Sequence, residues 1–124
     1  MFSTVITDRL VVHTGEDTIT LEDITRTMHG WYDSAQFDPT KPILWDLRAA
    51  VFAPDLGDVA RWSEENLVLI LEKRAGEKTA WVFGDPDIAE QAVDLLGAYD
   101  WKNRVRMYHD DYDAAESWLT STIK

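Results

Sequence analysis

Apolar residues follow two different spacings along this chain, and the spacing changes several times. Thr4-Val5-Ile6-Thr7 and Leu10-Val11-Val12-His13-Thr14 are β-rich runs on either side of Asp8-Arg9, and Gly15-Glu16-Asp17 is a cluster of turn residues. They predict a hairpin or two short strands. From Leu21 the spacing becomes threes and fours, with Leu21, Ile24, Met28 and Trp31 or Tyr32 on one helical face. Thr20 and Asp23 frame its start as a capping box, and Asp23 also suits the positive end of the helix. The helix is expected to end near Ala35, before Phe37-Asp38-Pro39.

Three further apolar runs predict strands. Ile43 to Arg48 follows Pro42 and reads as a buried strand, Lys78 to Phe83 is closed by Gly84, and Arg104 to His109 sets Val105 and Met107 against two arginines. That last alternation predicts a half-exposed or edge strand. Helical spacing fills the intervals. Asp55 is placed as the N-cap of a helix from Leu56 to about Arg74, with Leu56, Val59, Ala60, Leu67, Ile70 and Leu71 facing the core. Asp85-Pro86 supplies a cap followed by proline at the first helical position. Ile88, Ala92, Leu95, Leu96 and Tyr99 then share a face, and a last helix from Asp111 to Asp113 onward turns Ala114, Ala115, Trp118 and Leu119 inward.

The predicted order is ββαβαβαβα. Strand and helix alternate, so the expected fold class is α/β: a mostly parallel sheet of about five strands and four helices joined by right-handed crossovers. The chain has 124 residues and no linker-like or repetitive stretch, which fits one domain over 1–124. The net charge is −11, which argues against nucleic-acid backbones and anionic membrane surfaces. There is no cysteine, so disulfides, thiolate metal sites and cysteine nucleophiles are excluded. The longest apolar stretch, Leu67 to Leu71, is far shorter than the ~20 residues of a membrane span. The N-terminal segment carries Asp8 and Arg9 and lacks an apolar leader, so the expected location is the cytoplasm.

This order of elements, with its local strings, resembles the SpoIIAA-like (STAS-type) family, which is related in fold to CRAL-TRIO lipid-binding domains. The resemblance runs through most of the chain. It rests on the Gly15 to Asp23 turn into a capped helix, on Trp45-Asp46-Leu47 at a strand end, on Ala80 to Asp85, and on Ala114 to Leu119. It implies a small regulatory or protein-interaction domain. In the anti-sigma-factor antagonists of that family, an Asp-Ser-Ser-Gly stretch carries a phosphorylatable serine. Here Pro54-Asp55-Leu56-Gly57 stands in its place. Asp55 and Leu56 offer no hydroxyl, so the phosphorylation switch is not expected to transfer.

Candidate chemistry is sparse. His13, His29 and His109 have no metal-ligand spacing, and no phosphate-binding glycine loop or nucleophile elbow occurs. No cofactor or metal is expected. Ligands of open α/β sheets favour the carboxyl ends of strands, where Arg48, Asp85 and His109 form a candidate crevice. Six tryptophans are many for this length. Trp62 lies off the core stripe of its helix and in line with Leu69, so the pair forms a candidate subunit interface. The resulting expectation is a non-enzymatic interaction domain, homodimeric through Trp62 and Leu69. The alternatives are a carrier of a small apolar ligand or lipid, and an enzyme acting at the strand ends.

Overall fold

The computed structural model describes residues 1–55, 57–62, 64–66, 78–98 and 105–121. In chain order the elements are β1 (Phe2–Ile6), β2 (Val11–Gly15), β3 (Asp17–Ile19), α1 (Leu21–Tyr32), β4 (Ile43–Leu47) and β5 (Ala50–Phe52). The helical residues 57–62 and 64–66, here α2, come next. They are followed by β6 (Thr79–Phe83), α3 (Pro86–Ala98), β7 (Val105–His109) and α4 (Tyr112–Thr120). Among the described residues, the main sheet has five strands in the order β1-β2-β4-β6-β7. β1 is antiparallel to β2, and every other neighbouring pair is parallel. The expected α/β architecture is therefore present.

Several boundaries differ from the sequence reading. β1 starts at Phe2, and Gly15 closes β2 instead of opening a turn. Only Glu16 separates β2 from β3, and Asp17, the first residue of β3, stands at φ 60°. Aspartate tolerates this left-handed region better than most side chains. β3 and β5 are additions to the expected strands. They pair in parallel as a separate two-stranded sheet beside the main one. Three residues each are too short to display an alternation. α1 ends at Tyr32, with Asp33 as its C-cap, three residues before the expected Ala35.

The strand order rises steadily from β2 to β7. Right-handed crossovers that step in one direction place their helices on one face of the sheet. α1, α2 and α3 do share a face: Ile24, Met28, Trp31, Ala89 and Ala92 are buried with Ile43, Trp45, Leu47 and Phe83, and Trp62 packs against this cluster. α4 follows the last strand and is not a crossover. It covers the opposite face, where Ala115 and Leu119 meet Leu44, Ala80 and Val82. The proposed core positions of α2 at Leu56, Leu67, Ile70 and Leu71 lie outside the described residues, as does Tyr99.

One cross-strand row organises the three-helix face. Thr4, His13, Trp45, Trp81 and Met107 are successive register partners across all five strands. The rings of Trp45 and Trp81 stack with centroids 4.7 Å apart and planes 5° apart. This equals the spacing of neighbouring strands, so in-register parallel indoles stack without distortion. His13 is fully buried against Trp45, with centroids 4.4 Å apart, and its Nδ1 shares a 2.8 Å hydrogen bond with Thr4 Oγ1.

The capping box at α1 is closed in both directions. Asp23 N–H donates to Thr20 Oγ1 at 3.2 Å, and Asp23 Oδ2 accepts from Thr20 N–H and Thr20 Oγ1, both at 3.0 Å. The Thr20 amide, then its hydroxyl, hold the Asp23 carboxyl below its ordinary pKa. The contribution of this group to stability is therefore full above the ordinary aspartate range and is lost as pH falls through the lowered folded-state value. The expected result is an Asp23 carboxyl NMR titration with a midpoint below the usual range, and a capping contribution that disappears in acid. Asp23→Asn should remove this part of the acid dependence of unfolding.

Candidate functional site

The carboxyl ends of β4 and β6 diverge. After Leu47 the chain turns away from the main sheet, and β5 pairs with β3 instead. After Phe83 the chain drops into α3. A cleft of about 450 Å³ opens between these paths. Leu47, Ala50, Val51, Phe52, Phe83 and Ile88 give it apolar walls, and Arg48, Gly84, Asp85 and Pro86 complete the lining. Phe52 and Phe83 meet edge to face with centroids 5.7 Å apart. Gly84 sets the floor geometry. A Cβ there would collide with the Arg48 carbonyl oxygen and lie 3.2 Å from its carbonyl carbon. Only glycine permits this approach of β6 to the end of β4.

Of the candidate crevice residues, Arg48 and Asp85 line this cleft and His109 does not. Arg48 is bound by the nearly buried Asp46. Its Nε donates to Asp46 Oδ1 and its Nη2 to Asp46 Oδ2, both at 2.9 Å, and its backbone N–H reaches Oδ1 at 3.2 Å. The guanidinium also stands 4.8 Å from the centre of the Tyr112 ring at the start of α4. Hydrogen bonding to Asp46 raises the already high pKa of Arg48, so its charge persists at all ordinary pH. Burial, then the negative charges of Glu116 and Asp46, raise the pKa of the Tyr112 phenol. Asp85 caps α3: its Oδ1 accepts from Asp87 N–H at 2.9 Å, and its carbonyl accepts from Ala89 N–H at 3.1 Å. His109 is half exposed and faces Asp110 at 3.6 Å. The three side chains thus each have a local partner, and His109 stands apart from the two that line the cleft.

The separation has a topological cause. A crevice at strand carboxyl ends forms most readily where the strand order reverses. In this sheet β4, β6 and β7 continue in one direction, so no reversal opens the sheet near His109. The turn after β7 is instead drawn onto β6, with Asp110 at φ 55° and its N–H donating to the Phe83 carbonyl at 2.9 Å. The cleft comes from the departure of β5. The sequence reading assigns no element to Ala50, Val51 and Phe52. The available signal is the apolar run Ala49-Ala50-Val51-Phe52-Ala53 directly after Arg48.

Asp55 acts as the N-cap of α2. Its Oδ1 accepts from Asp58 N–H at 2.8 Å, and its carbonyl accepts from Val59 N–H at 3.1 Å. A carboxylate bonded to the first-turn amides here makes the local interaction expected of an N-cap. Leu56 lies outside the described residues.

Trp62 requires a correction. The helical-wheel reading sets it on a second stripe directed at another chain. In the structure its indole is half-buried against the three-helix core, and Nε1 donates to Thr25 Oγ1 of α1 at 2.7 Å. The element that meets Trp62 is α1 of the same chain. A wheel drawn for one helix cannot show that α1 and α2 lie side by side on one face of the sheet. Leu69 lies outside the described residues. Trp62→Phe keeps the ring and removes the donor, so the expected result is a loss of about 1 kcal/mol in denaturant unfolding. The association state should not change.

Among the described residues, no three His, Asp or Glu side chains gather as a metal-binding group. No described helix is long and apolar enough to cross a membrane. The fold and cleft define an α/β domain with an apolar site at the carboxyl edge of its sheet. No protein-family model, curated protein or solved structure matches the chain.

Proposed function

We propose that this chain is a non-catalytic binding domain that holds a small, mostly apolar molecule at the carboxyl ends of β4 and β6. The observation that carries this reading is the cleft of about 450 Å³ with aliphatic and aromatic walls. Its size falls within the roughly 300–1,000 Å³ of small-molecule sites, which are typically apolar with a few polar groups. The side chains that could have served an enzyme support the same reading, because Arg48 is bound to Asp46 and Asp85 caps α3. A SpoIIAA-like regulatory role is compatible with a ligand-holding site. Asp55 at the α2 N-terminus argues against switching by phosphorylation there.

Amide NMR with indole, naphthalene and octanoate as probes tests the proposal. Binding should move the resonances of Phe52, Phe83, Gly84 and Ile88 together. Val51 lines the cleft yet is 64% exposed, so Val51→Glu can be introduced without disturbing the core. The expected effect is at least a tenfold weaker affinity for the best probe, at unchanged thermal stability. A carboxylate facing an apolar ligand loses hydration without compensation. Shifts confined to other regions, or no saturable shift with any probe, would overturn the reading.

A further inference from the structure

We propose that β1 is a self-association edge, at which a second copy of this chain pairs antiparallel to extend the main sheet. The two edges of that sheet are treated differently. β7 carries the exposed Arg106 and ends at the exposed His109 and Asp110, and charges on an edge strand discourage pairing. β1 reads Phe-Ser-Thr-Val-Ile, and residues 1–7 contain no charged side chain in a chain of net charge −11. Ser3, Thr4 and Val5 are exposed, with Val5 at 57%. Much of the acidic surface would repel a second copy, and this strand would not.

The hydrogen-bond pattern identifies the atoms at this edge. Thr7 N–H donates to the Leu10 carbonyl, and Glu16 N–H donates to the Met1 carbonyl, both at 3.0 Å. Bonded and non-bonded pairs alternate along an antiparallel ladder. Ser3 and Val5 are therefore the residues that exchange backbone bonds with β2. Phe2, Thr4 and Ile6 turn their N–H and C=O groups away from it, toward the edge at which no described strand pairs. The tight Thr4–His13 side-chain contact agrees, since side chains approach more closely in non-bonded pairs.

A two-fold axis at Thr4 uses all of these groups. Phe2 of one copy then faces Ile6 of the other, and Thr4 faces Thr4. Each exchanges backbone bonds with its opposite number, and the side-chain pairs are β-branched or aromatic combinations that favour sheets. Shifting the register by two residues in one direction shortens the overlap, and in the other it brings Asp8 against Phe2. The centred register alone gives full overlap with no charge inside it. Ser3 then faces Val5 of the other copy in a non-bonded pair. Each strand is five residues, about 17 Å, long. Two such edges bury less than the ~1,200 Å² typical of stable complexes, so the pairing belongs to the weak, reversible class.

Sedimentation velocity from about 1 to 500 μM tests this. The chain should pass from monomer to dimer with a micromolar or weaker Kd. Ser3→Lys with Val5→Lys sets lysine against lysine and should weaken the dimer at least tenfold. Ser3→Lys with Val5→Glu sets unlike charges across the axis and should restore it. All these side chains are exposed, and circular dichroism confirms that each variant is folded. In the wild type, hydrogen exchange at Phe2, Thr4 and Ile6 should slow as concentration rises, while Ser3 and Val5 change little. A wild type monomeric at 500 μM, a dimer unaffected by the two lysines, failure of the opposite-charge pair to restore it, or protection without this alternation would each overturn the proposal.

Discussion

Gly84→Ala is expected to destabilise the fold by about 3 kcal/mol, at the upper end for overpacked sites. For a domain of this size that is a drop of roughly 10 °C in the thermal midpoint. The new methyl group would meet backbone atoms of Arg48 and not the end of a movable side chain. Arg48 has little room to withdraw, because its own amide and guanidinium are bound to Asp46. Relief must come from separating the end of β6 from that of β4, which also deforms the cleft. Gly30→Ala provides the opposite sign. Gly30 lies on the exposed side of α1, and an alanine methyl there would have nothing within 4 Å, so the substitution should add about 0.5–1 kcal/mol. Paired melting curves check both. Equal midpoints for the Gly84 variant and the wild type would show that the two strand ends do not approach as described.

Trp45→Ala is expected to cost about 3–5 kcal/mol, the range for removing a large buried aromatic. Trp45 is 4% exposed and touches Phe2 at 5.3 Å, His13 at 4.4 Å and Trp81 at 4.7 Å between centroids. Its loss opens a cavity beneath α1 and leaves the Trp81 ring unstacked on one side. Denaturant unfolding gives the magnitude. Near-ultraviolet circular dichroism gives the specific signature, because the stacked pair contributes a signal that should vanish with either indole. A variant that keeps both the signal and its stability would remove Trp45 from the centre of the core.

The order of elements is legible because local signals agree with the long-range packing. Thr20 and Asp23 mark the start of α1, Asp55 that of α2, and Asp85-Pro86 that of α3 through bonds made within a few residues. The alternation around Arg106 marks β7 as an edge for the same kind of reason: the exposed arginine covers the Trp118 ring at the rim of the α4 face, with its guanidinium carbon 4.7 Å from the ring centre. β3 and β5 are not legible. Each is three residues long, and what makes them strands is their pairing with each other across roughly thirty residues of intervening chain.

Arg48, Asp85 and His109 fall together in the sequence reading because all three follow or end strands at the carboxyl edge. That rule says which end of the sheet a residue occupies and nothing about its neighbours. Asp46 takes the Arg48 guanidinium, and His109 pairs with Asp110 and is not among the residues that line the cleft. Trp62 shows the same limit on a helix.

What the sequence by itself determined was the α/β class, the order of the helices and of the main-sheet strands, and most helix starts, since periodicity and capping act over distances of a few residues. Tertiary structure alone decided that three helices share one face, that β5 leaves the sheet to make the cleft, and that Trp62 meets α1. Those outcomes depend on which distant segments become neighbours in space, and side-chain spacing along the chain carries no measure of that.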